Sequence, residues 1–129
     1  MRKTAFTLIE VMITIIIVAI LATLAVPTYM KMAERAKRRE AIATLNTIFA
    51  AERVYCTERR TYIDAAAAAE WAALNMDDPN ANPQSNFGYT ISGATTTTFN
   101  ATATRNSGTY SGNTVTIDQT GNLGGTFNP

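Results

Sequence analysis

Histidine is absent from this 129-residue chain, and cysteine occurs once, as Cys56. The first absence removes the side chain most often used as a general base near neutral pH and as a zinc ligand. The second forbids an internal disulfide, so the fold must be held by packing alone. No glycine-rich phosphate loop of the G-x-x-x-x-G-K-[ST] kind is present, no cysteine pair can hold a metal, and no nucleophile has a recognisable partner. The chain therefore reads as non-enzymatic, with no cofactor and no metal site. Charge is the other scarcity: from Phe6 to Met30 the one side chain charged at neutral pH is Glu10.

That stretch decides the character of the N-terminus. Val11 to Val26 is sixteen uncharged residues in a row, and Phe6 to Met30 is twenty-five with one charge. As a helix, twenty-five residues reach about 37 Å, against a bilayer hydrocarbon core of about 30 Å. A secretory signal peptide has an apolar core of only about 7 to 15 residues. An ordinary single-pass anchor satisfies the length but gives no reason for an acid inside it. A carboxylate at mid-membrane depth costs about 2.5 to 3.5 kcal/mol, less near the interface, so Glu10 invites a functional explanation. A cut between Ala5 and Phe6 supplies one, because the new amine of Phe6 is a cation four residues before Glu10.

A basic leader (Arg2, Lys3), a small residue and then Phe6-Thr7-Leu8-Ile9-Glu10 resemble the start of the type IV pilin and type II secretion pseudopilin superfamily. Pro27 falls where many members place a helix-kinking proline. Ala5 stands where the family usually has glycine, and Ala19 where many major pilins have one. The resemblance implies a precursor in the bacterial inner membrane, cleaved by prepilin peptidase between Ala5 and Phe6 and N-methylated at Phe6. It further implies polymerisation into a helical filament of copies through Glu10 and the apolar helix, driven by an inner-membrane assembly platform and motor. The product is an extracellular pilus or, for a pseudopilin, a periplasmic pseudopilus. Counting flanking charges alone favours the opposite insertion, since Lys31, Arg35, Lys37, Arg38 and Arg39 outnumber the leader's cations. The resemblance places the leader in the cytoplasm, where the peptidase works.

Beyond Pro27 the helical pattern continues. Ile42, Leu45, Phe49 and Cys56 recur at helical spacing, with Ala41, Ile48 and Tyr55 beside them as a second stripe. Phe6 to Glu58 should thus form one helix of about 75 to 80 Å, residues 6–30 being its membrane or filament-core part. Pro27 lacks an amide hydrogen and crowds the preceding turn, so a kink is expected there. Residues 1–59 carry a net charge of +4 and residues 60–129 a net of −3, a split that favours packing between copies.

Residues 59–129 read as a small head. Asp64 is placed to cap a helix from Ala65 to about Asn75, which Pro79 and Pro83 end. Three alternating segments follow, with Phe87, Tyr89 and Ile91, then Phe99, Ala101 and Ala103, then Val115 and Ile117 facing inward. Thr90, Thr98, Thr102, Thr104, Thr114 and Thr116 fall on the opposite, wet face. The expected class is α+β: a long N-terminal helix packed on an antiparallel sheet of three to four strands. Cys56 is read first as a small buried residue under that sheet. Asn100-Ala101-Thr102 matches a glycosylation sequon inside a strand, and the Lys31 to Arg39 run is read as solvated or intersubunit charge before lipid or nucleic-acid contact. With Asp118 the nearest acid to the C-terminus, the tail argues against an acidic calcium loop.

A structural subunit of a type IV pilus is the leading expectation and a pseudopilin the alternative within the class. From another class comes a membrane-tethered binding module that never polymerises.

Overall fold

In a computed structural model that describes residues 5–129, helix α1 spans Leu8–Arg59. Four of the five leader residues expected at 1–5 lie outside the described residues; Ala5 is exposed and non-helical. The helix starts two residues later than the apolar pattern suggests, and Thr7 is the reason. Its hydroxyl accepts the Glu10 N–H at 3.4 Å, and its carbonyl accepts the same N–H at 3.1 Å. A Thr-x-x-Glu sequence is a helix-starting signal in its own right. At the other end Arg60 takes φ 62° and donates its N–H to the Cys56 carbonyl, which closes the last turn.

The chain divides into two compact units, one ending at Glu34 and the other running Arg35–Pro129. In the first, residues 5–32 are all exposed. The helix assignment passes through Pro27 without interruption. Thr14, Thr23 and Thr28 turn their hydroxyls back onto the carbonyls of Val11, Ala19 and Leu24. Each hydroxyl is thereby satisfied by the helix itself, which suits an apolar surrounding.

The second unit is built on a four-stranded antiparallel sheet in sequential order. Its strands are β1 (Phe87–Ser92), β2 (Asn100–Arg105), β3 (Thr114–Asp118) and β4 (Leu123–Gly124). Alternation sets the register: Tyr89 pairs with Ala103 and Ala103 with Val115, while Ile91 pairs with Ala101 and Ala101 with Ile117. Slipping any strand by one residue would turn these side chains to water. The alanines of the middle strand leave room for larger neighbours, and Ala41, Leu45 and Ile48 of α1 complete the same buried cluster. Phe49 sits at its margin, its ring 6.2 Å from that of Phe99.

Two expectations about this unit need correction. Asp64 does not cap a helix: its carboxylate accepts the Ala94 N–H at 2.8 Å, and Ala65 bridges Ile91 at the edge of β1. Pairing with the sheet outcompetes alanine's helical propensity there, so helix α2 is confined to Ala68–Ala73. Its start is capped by Glu70, whose Oε2 accepts the N–H groups of Ala66 and Ala67 at 2.6 and 2.9 Å. Those two bonds hold the Glu70 carboxyl below its usual range. Cys56, expected under the sheet, is only half-buried. The buried stripe of α1 is Ala41, Leu45, Ile48 and Glu52, which rotates Cys56 toward the rim.

Candidate functional site

Two regions hold chemistry that the fold does not use up. The first is the start of α1. Phe6, Leu8 and Ile9 are exposed there, and Glu10 lies in the first helical turn beside Thr7. A carboxylate in that turn is favoured by the partial positive charge of the helix N-terminus. Beyond it Val11, Ile13, Ile15, Ile16, Ile17 and Leu21 are more than four-tenths exposed, and the helix is long and apolar enough to cross a membrane. An uncovered apolar surface of this extent calls for lipid or another protein surface. Ala5 and Phe6, the residues of the expected cut, lie in the non-helical segment ahead of Leu8, and Pro27 lies within α1.

The second region is the far end of α1. Arg53, Cys56, Thr57 and Arg60 follow one another at helical spacing and, with Tyr62 and Thr96, line an open depression of about 710 Å³. The Arg53 guanidinium also lies over the Phe49 ring, 5.6 Å from its centre. Among the described residues, no carboxylate stands at ion-pair distance from Arg53 or Arg60. Cations at a helix C-terminus are favoured by its partial negative charge, so Arg59, in the last turn, and Arg60, just past it, also stabilise that end. The floor is stitched to the loop before β2, because Tyr62 donates its N–H to the Thr95 carbonyl at 2.9 Å.

Next to this depression lies Glu52, fully buried. Its Oε2 accepts the Ile63 N–H at 3.3 Å and its Oε1 has no partner. Burial pushes its carboxyl up from 4.5 to about 7, the Ile63 bond pulling the other way and the Asp64 charge adding to the rise. Neither Glu52 nor the Arg53 and Arg60 pair stood out in the sequence. A signal for Glu52 was there: it follows Leu45 and Ile48 by seven and four residues, on their face. The basic run from Lys31 to Arg39 is partly spent within the fold, since Arg38 donates to the Phe127 carbonyl at 3.0 Å and Arg35 to Pro129 at 3.2 Å.

Known proteins match both regions. The family described as the prokaryotic N-terminal methylation motif matches residues 1–26. The family described as type IV minor pilin ComP, DNA uptake sequence receptor, matches residues 27–116. The type IV major pilin protein PilA of Myxococcus xanthus (strain DK1622) is 38% identical over 65 residues, which cover 50% of this chain. The match spans 30% of that relative's length. The two family matches adjoin at Pro27 and together run from the leader to β3; the chain belongs to the type IV pilin superfamily, in the family described as type IV minor pilin ComP.

Proposed function

We propose that this chain is a structural subunit of a type IV pilus, made as an inner-membrane precursor, cleaved between Ala5 and Phe6 by prepilin peptidase and N-methylated at Phe6. It then polymerises through the apolar half of α1 into an extracellular filament. The observation that carries the proposal is the uncovered apolar surface from Leu8 to Met32 with one acid in its first turn, four residues past Phe6. Lipid contacts are exchanged for neighbouring helices on assembly, so the hydrophobic gain is small. An assembly motor must therefore supply the work of extraction. Register is then set by the match of Glu10 to a Phe6 amine, which methylation leaves protonated. Residues 1–5 act as the leader and Pro27 loosens the helix for packing. Intact-mass measurement of sheared fibres checks this: the expected subunit starts at Phe6 and is heavier than the bare chain by one methyl group. A subunit that retains Met1 to Ala5 within fibres overturns it.

The description of the matching family favours a second, compatible role, contact with duplex DNA by a minor subunit. Arg53 and Arg60, free of carboxylate partners, are the side chains best placed to meet phosphates, with Tyr62 beside them. Each phosphate contact contributes about 0.9 to the slope of log affinity against log salt. Replacing both arginines with alanine should lower that slope by about two, and an unchanged slope would exclude them from the contact.

A further inference from the structure

We propose that Glu52 is a proton-operated latch that holds the 62–65 segment against the end of α1 and, through it, the loop before β2. The claim is independent of what the depression binds. Three sets of hydrogen bonds define the latch. On one side, the buried Glu52 Oε2 accepts the Ile63 N–H. On the other, Tyr62 donates to the Thr95 carbonyl and the Asp64 carboxylate accepts from Ala94. Ala65 then exchanges both backbone bonds with Ile91, at 3.2 and 2.7 Å. Residues 62–65 thus join a helix to a sheet edge and a loop, and Glu52 is the side chain of α1 that grips their backbone, beside the Cys56 contact to the Tyr62 side chain.

The two protonation states of Glu52 differ in what they ask of this place. A neutral carboxyl with one oxygen unpaired is a modest burden in a dry site; a carboxylate there, with no cation to pair with, is a severe one. The charged and titratable neighbours all come from two stretches. Arg53 and Cys56 lie on α1, but the Arg53 guanidinium is drawn over Phe49 toward the rim. Tyr62 and Asp64 lie in the held segment, and Asp64 carries the same sign as an ionised Glu52. From the sheet, Arg105 is engaged beside Phe87 and Asn86 at the opposite end of the strands. Only the Ile63 N–H favours a negative charge on Glu52, and burial outweighs it.

The sign follows. With its carboxyl raised from 4.5 to about 7, the folded state binds a proton that the unfolded chain has already released between those values. The stabilisation from the neutral form is fully present below pH 4.5 and is lost as pH rises through about 7. The latch is closed in acid and loosened in alkali.

Amide hydrogen exchange on the full chain in detergent, at pH 5.5 and 8.5, tests this. Protection is taken relative to Ala101 and Ala103 of the central strand and corrected for intrinsic exchange. Relative protection of residues 62–65 and 93–98 should fall at least about tenfold between the two values. Glu52→Gln, which stays neutral and keeps an oxygen for Ile63, should hold protection constant. Asp64→Asn gives a second handle that keeps the Ala94 bond: the midpoint should move to lower pH once the repelling charge is gone. Equal relative protection at both pH values in the wild-type chain, a pH response retained in Glu52→Gln, or an unmoved midpoint in Asp64→Asn would each overturn the latch.

Discussion

Glu10→Ala is expected to abolish fibres while leaving the precursor abundant in the membrane and the Arg35–Pro129 unit folded. The unpaired carboxylate is a burden in lipid, so its removal does not hinder insertion. On the assembly proposed above, the same carboxylate would meet a cation in a dry helical bundle. Removing one partner of such a pair costs about 3 to 5 kcal/mol because the other charge is left buried and alone. Here that stranded group is the Phe6 amine, and the loss recurs at every subunit added. At about 1.4 kcal/mol per tenfold, each addition is weakened by two orders of magnitude or more.

A competing explanation comes from the Thr-x-x-Glu pattern: the bond to Thr7 is made by the Glu10 backbone N–H, but a glutamate at this position of a capping box can also turn its side chain back to the Thr7 N–H. Glu10→Gln separates the two. Glutamine serves in a capping box as glutamate does but carries no charge. If charge pairing selects register, Glu10→Gln fails to assemble as Glu10→Ala does. If the acid only starts the helix, Glu10→Gln yields fibres at the wild-type level. Quantifying sheared fibres against membrane-retained subunit reads the difference directly.

The legibility of this chain follows from how strictly each element had to be written. The half of α1 beyond Pro27 and the three long strands carry periodicities of 3.6 and 2 with few exceptions, because one slipped residue would expose the core. Phe87, Tyr89, Ile91, Ala101, Ala103, Val115 and Ile117 are accordingly all buried where alternation places them. The Phe6 to Glu10 motif was plain because an acid among aliphatics has no structural excuse. What stayed hidden depends on partners distant in sequence. Asp64 before an alanine run looks like a helix cap, and only the nearness of Ile91 and Ala94 shows that the sheet edge claims this segment. Glu52 reads as a surface residue by its type, although its position on the Leu45 and Ile48 face buries it. The depression at the end of α1 needs Thr96, forty residues beyond Cys56, and no local pattern announces that approach.

A large loss of stability in the head should come from Phe127→Ala, two residues before Pro129. With one cysteine available, the closing segment must be fastened without a disulfide, and Phe127 supplies the fastening. Its ring is 2% exposed and meets Phe87 and Tyr110 edge-on, with centres 5.6 and 5.4 Å apart. Its N–H reaches the Thr114 carbonyl at 2.9 Å, while the Thr126 hydroxyl accepts the Thr114 N–H at 3.0 Å. Gly125 enables this approach: at φ 109° its backbone lies so near Thr114 that a Cβ would collide with the Thr114 carbonyl. Arg38 of α1 then clasps the Phe127 carbonyl from the helix side. Truncating a buried phenylalanine costs about 3 to 5 kcal/mol in transfer and cavity terms. Removing the Arg38 hydrogen bond, whose donor is charged, costs about 1.5 to 3 kcal/mol. Urea unfolding of a soluble segment beginning near Ala33 measures both. The clasp is secondary if Arg38→Ala costs about a third of Phe127→Ala or less. A loss below about 1 kcal/mol for Phe127→Ala would show that the tail rides on the sheet without closing it, and the head would then need another source of the order that a disulfide gives elsewhere.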